Sequence, residues 1–131
     1  AMAAGSAVIR HIESENLVAH AAEMGERLRD HLLTLQRACP VLGDVRGRGL
    51  MLGVEIVDPN GKPDALNHPP QDGRMASIIQ RECLKGGLIL ELGGRHGSVV
   101  RFLPPLIVSA AQIDRIARIF GKAVRAAVSA G

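Results

Sequence analysis

The chain has 131 residues, is 47% hydrophobic and carries a formal charge of +3 at pH 7, which fits one domain of common size with a real core. Basic residues are interleaved with acids, and there is no Trp or Tyr and only two Phe. That argues against a nucleic-acid surface, which needs massed cations and stacking rings. No run approaches the roughly 18 continuous apolar residues of a membrane span, and the first residues, "AMAAGSAVIRHIE", lack the layout of a signal peptide. Cys39 and Cys83 form no CxxC and read as free thiols of a reducing compartment. A cytoplasmic location is the resulting expectation.

Residues 2–13 are Ala-rich and helix-favouring. A chain that opens inside a helix with no cap or lead-in reads as cut from something longer, with 1–13 as a linking helix. In 15–38, Leu17, Ala21, Met24, Leu28, Leu32 and Leu35 form one apolar stripe at steps of three and four, and Pro40 ends the helix. Met51–Val57 reads as a strand, with Gly47 and Gly49 kinking its entry. Residues 58–71, rich in Pro, Asn, Asp and Gly, read as a loop.

A second amphipathic helix is predicted over 72–86, carrying Met75, Ile78, Ile79 and Cys83 and closing at Gly86-Gly87. "LILEL" at 88–92 reads as a short strand. Gly93, Gly94 and Gly97 then permit a hairpin into Ser98–Leu103. Ser109 and Gln112 have capping-box spacing for a last helix with Ile113, Ile116, Phe120, Val124 and Ala127 on its apolar side. These elements predict a two-layer α/β (α+β) domain: a small, mostly antiparallel sheet of about three strands, with amphipathic helices over one face. The other face and residues 1–13 are left for a partner surface.

Most chemistry-bearing residues form no constellation. His11, His20, His31, His68 and His96 make no HxxxH pair and lie near no Cys, so they read as surface groups and no metal site is expected. Neither Cys has a neighbouring His or Lys to activate it. The glycines of "RGRG" and "GGRHG" are not a GxGxxG between strand and helix. Arg101 stands apart, as a guanidinium in the apolar run "VVRFL" before Pro104-Pro105. Burying such a charge alone is prohibitive, so it must be paired or reach open space. Its planar fork fits a carboxylate at two points. It is therefore either a structural ion pair, with Glu55 and Glu91 as candidate partners, or a receptor for an acidic ligand.

"VRGRGLMLGVEIVDP" and "GLILELGGRHGSVVRFLPPLIVSAAQID" together resemble the C-terminal part of class III pyridoxal-phosphate aminotransferases. Within them, "GGRHGSVVRFLPPL" is most similar to the diaminobutyrate–2-oxoglutarate type. The resemblance spans nearly the whole chain. It implies that Arg101, in the "RFxPPL" position, binds a substrate carboxylate, typically the α-carboxylate, with the Pro-Pro holding the fork in place. It implies a fold like the small C-terminal domain of such enzymes, beside a large cofactor domain of the same parent chain. It implies a parent that is a homodimer or larger and that moves an amino group from a diamino acid to 2-oxoglutarate with pyridoxal phosphate.

By the same resemblance the Schiff-base lysine and the other cofactor ligands lie upstream. Lys62, Lys85 and Lys122 match none of them, so no catalytic residue and no bound cofactor are expected on this chain alone. Ornithine- or 4-aminobutyrate-type donors remain open, as does a stand-alone amino-acid-binding or regulatory module.

Overall fold

The computed structural model describes residues 1–130. Helix α1 (Met2–Ser14) is followed by α2 (Leu17–Ala38), strands β1 (Leu42–Arg48) and β2 (Met51–Ile56), helix α3 (Gly73–Lys85), strands β3 (Glu91–Gly93) and β4 (Val99–Phe102), and helix α4 (Ala110–Ala130). The four strands form one sheet in the order β1-β2-β4-β3, with every neighbouring pair antiparallel.

The α+β class expected from the sequence is therefore the class observed, with four strands in place of three. The extra strand is β1. Its sequence, LGDVRGR, buries only Leu42 and Val45, too little apolar alternation to register as a strand. It pairs as the edge partner of β2 through a two-residue turn at Gly49-Leu50, with Arg48 opposite Met51. Gly49 has φ +54 and Gly47 φ +136, conformations that favour glycine. The glycines read as a kink are thus the end of a hairpin, and the charges along β1 suit an edge strand.

Two boundaries also differ from expectation. The helix predicted from residue 15 begins at Leu17, because Asn16 takes a left-handed conformation (φ 50) and separates α1 from α2. The strand predicted at 88–92 begins only at Glu91. The backbone before it is committed to α3: Leu88 N–H donates to the Cys83 carbonyl at 2.9 Å, and Gln80 Nε2 donates to the Leu90 carbonyl at 2.7 Å.

Two helix starts are set by side chains. Asp72 accepts from Met75 N–H at 2.8 Å and opens α3. Ser109 and Gln112 form the reciprocal pair expected from their spacing, at 2.9 and 3.2 Å. The 58–71 segment contains no helix or strand and is closed by a Val57–Gln71 bridge. Within it Asp64 accepts from Leu66 N–H and His68 N–H, and these donors lower its carboxyl pKa.

The core lies between one face of the sheet and helices α2, α3 and α4. Val54, Ile56, Val100 and Phe102 from the strands meet Leu28, Leu32, Ile79, Ile113, Phe120 and Val124 from the helices. The rings of Phe102 and Phe120 pack edge to face, with centroids 5.1 Å apart. Helix α2 crosses the β1–β2 turn at a glycine pair: a Cβ on Gly25 would lie 2.2 Å from the Gly49 carbonyl oxygen. Outside the core, Arg27 donates twice to Asp114, at 2.8 Å each, and His31 Nε2 donates to the same carboxylate at 2.9 Å, tying α2 to α4. Helix α1 buries none of its residues.

Candidate functional site

Strand alternation places Arg101. Val100 and Phe102 point into the helix-covered core, so Arg101 between them points to the opposite face. It is not buried: its side chain is 46% exposed. The guanidinium thus reaches open space, and the apolar run around it belongs to the other side of the sheet.

The antiparallel register sets its neighbours. Arg101 lies opposite Gly53 on β2 and opposite Glu91 on β3, while Gly53 lies opposite Arg46 on β1. The row across the open face therefore reads Arg46, Gly53, Arg101, Glu91. Glycine at 53 leaves one flank of Arg101 without a side chain. Val99, on the same face, packs against Gly53 and Gly94.

The two arginines of the row are held differently. Arg46 Nη1 donates to Asp44 at 3.0 Å and lies 3.7 Å from Glu55. Glu55 also accepts from Gln71 at 2.6 Å. Of the two candidate partners for Arg101, Glu55 is therefore engaged elsewhere, and Glu91 is the one beside it, with Oε2 3.7 Å from Nη1. That separation is too long for a hydrogen bond, and exposed pairs of this kind are weak. Among the described residues Arg101 has no hydrogen-bonded partner, so its fork is open to a carboxylate. It borders a groove of about 370 Å³ at the end of β3 and β4, whose wall also includes Ile89, Pro105 and, from the helix side, Phe102 and Ile116.

Of the remaining candidates, His68, His96 and Lys62 line a second cavity with Asp44 and Glu55, away from Arg101. His20, read as a surface group, is half-buried, and its Nε2 donates to the Val108 carbonyl at 2.8 Å. His31 serves the Asp114 junction. Cys83 is buried, and desolvation pushes its thiol up to about 12, which leaves it inert at neutral pH. Among the described residues no group of three or more His, Cys, Asp or Glu is placed to hold a metal, and no helix is long and apolar enough to cross a membrane.

The described residues also do not fit a resident pyridoxal phosphate. Lys62, Lys85 and Lys122 are all exposed, Lys85 is paired with Glu82, and no buried side-chain polar atom lacks a partner. Sequence reasoning found Arg101 but not the glycines around it. Their signal was the register of β2, β3 and β4, which fixes what lies beside a given residue.

A small antiparallel sheet with helices on one face and a partly exposed arginine on the other defines an α+β domain. The class III aminotransferase family matches residues 1–124, and the chain belongs to that family. It is 55% identical over 116 residues to the diaminobutyrate–2-oxoglutarate aminotransferase of Rhizobium meliloti, covering 88% of this chain and 25% of that protein. It is 40% identical over 124 residues to the Haemophilus influenzae enzyme of the same name, covering 95% and 27%. Among solved structures, the omega transaminase from Pseudomonas jessenii in complex with PMP superposes with a TM-score of 0.75 at 32% identity, over 92% of this chain and 25% of that one. The chain thus spans about a quarter of the length of these relatives.

Proposed function

We propose that this chain, residues 1–131, is the small C-terminal domain of a transaminase that moves the terminal amino group of 2,4-diaminobutyrate to 2-oxoglutarate, and that Arg101 binds a substrate carboxylate there. The observation that carries the reading is the partly exposed fork of Arg101 on the open face of the sheet, held only by a long ion pair to Glu91, in a chain of the class III family. A planar guanidinium with no hydrogen-bonded partner offers two parallel donors to one carboxylate. Fixing that end of the substrate orients its reacting carbon. The rigid Pro104-Pro105 that follows β4 limits how far the strand end moves.

Pyridoxal phosphate supplies the electron sink of such a reaction when bound. In this reading it is held by a large domain of the parent, with the lysine that this chain does not provide, and α1 leads out of that domain. The parent is a homodimer or larger assembly of the cytoplasm.

The test is glutamate formation from 2,4-diaminobutyrate and 2-oxoglutarate by the complete protein supplied with pyridoxal phosphate, with this chain assayed alongside. Turnover by the complete protein alone is expected. Activity of this chain by itself would overturn the domain assignment. Turnover with ornithine or 4-aminobutyrate but not with diaminobutyrate would overturn the donor.

A further inference from the structure

Gly93 lies on β3 beside the Arg101 side chain, and its place there has no backbone explanation. Unlike Gly94 (φ +72) and Gly97 (φ +65), Gly93 is not in the left-handed region, so its φ suits any residue. It is the last residue of β3, directly before the turn. What a side chain at 93 would meet is Arg101 itself: a Cβ would lie 2.8 Å from Arg101 Cδ, 3.5 Å from Nη1 and 3.8 Å from Nε, so the arginine would have to move. Cδ is the middle of the arginine, not its free end, so displacing it swings the whole guanidinium. On the other flank Gly53 presents no side chain to push back.

We propose that Gly93 is the positioning residue of the carboxylate-binding arginine: its bare backbone is the floor on which the Arg101 stem lies, and this sets where the fork points. The inference rests on the carboxylate-binding role of Arg101. A methyl group at 93 leaves the arginine present and charged but moves its fork off the substrate.

The experiment is a double-mutant cycle in the complete protein, measuring KM for 2-oxoglutarate, kcat, cofactor loading and thermal midpoint for Gly93→Ala, Arg101→Ala and the pair. Gly93→Ala is expected to raise KM about tenfold, with kcat and cofactor loading held within about twofold. In the Arg101→Ala background the same substitution is expected to change KM by less than about twofold, because the group it acts through is gone. Gly93→Ser is expected to raise KM at least as far as alanine does.

A Gly93→Ala KM equal to wild type, with Arg101→Ala raised, overturns the proposal and leaves the arginine reading standing. An equal Gly93→Ala effect in both backgrounds also overturns it. So does a fall in thermal midpoint of more than about 5 °C for Gly93→Ala, which would put the role of Gly93 in the fold. An unchanged KM in Arg101→Ala takes down the carboxylate reading and this one together.

Discussion

On the helix-covered side of the sheet, Val54 and Val100 are fully buried and Phe102 is 1% exposed. On the open side, their strand neighbours Gly53, Glu55 and Arg101 are partly or largely exposed. The same short strands therefore serve two purposes, separated by one residue of register. The covered face holds the domain together through burial and ring packing. The open face carries the exposed polar groups Arg46, Arg101 and Glu91 beside the buried Val99.

Substitutions sharpen that contrast. Phe120→Ala is expected to destabilise the chain by about 3–5 kcal/mol in urea unfolding, because it empties a site packed against Phe102. Gly25→Ala is expected to cost about 1–3 kcal/mol, because its methyl group meets the Gly49 backbone, which cannot yield as a side chain would. Arg101→Ala, on the open face, is expected to stay within about 0.5 kcal/mol of wild type. A large loss there would mean that the arginine is a structural group.

Asp114 gives a pH test. Its carboxyl is held far below the ordinary 3.8, first by the hydrogen bond from Arg27 and then by that from His31. A lowered pKa in the folded state adds stability above the unfolded value and loses it as pH falls through the folded one. Wild type is therefore expected to weaken from about pH 4 downward. Asp114→Asn is expected to be less stable at neutral pH and to converge with wild type in acid. Parallel pH profiles would contradict the role given to this junction. Glu91→Gln is also expected to have a small effect, within about 0.5 kcal/mol, because its pair with Arg101 is long and exposed.

The helices were legible in the sequence because their apolar residues recur at steps of three and four, and Ser109 with Gln112 marked the start of α4 to the residue. Strand β1 was not legible, because an edge strand with Asp44, Arg46 and Arg48 along it has little apolar pattern to show. Arg101 stood out because a lone charge in an apolar run demands a reason. That reason was alternation, which turns it away from the core. Its partner was half legible: Glu55 and Glu91 flank the same strand, and only the cross-strand register, together with Arg46 and Gln71, shows which one is already engaged. Gly93 and Gly53 were legible only as turn or strand glycines, since what they make room for lies on a different strand.

The most direct test of the account is the Michaelis constant for 2-oxoglutarate in the complete protein with Arg101→Ala, read together with its pyridoxal-phosphate content. Loss of a charge-assisted two-point contact, about 1.5–3 kcal/mol, predicts a KM raised roughly tenfold to a hundredfold with cofactor content unchanged. An unchanged KM at full cofactor content would contradict the assignment of this face as the carboxylate receptor.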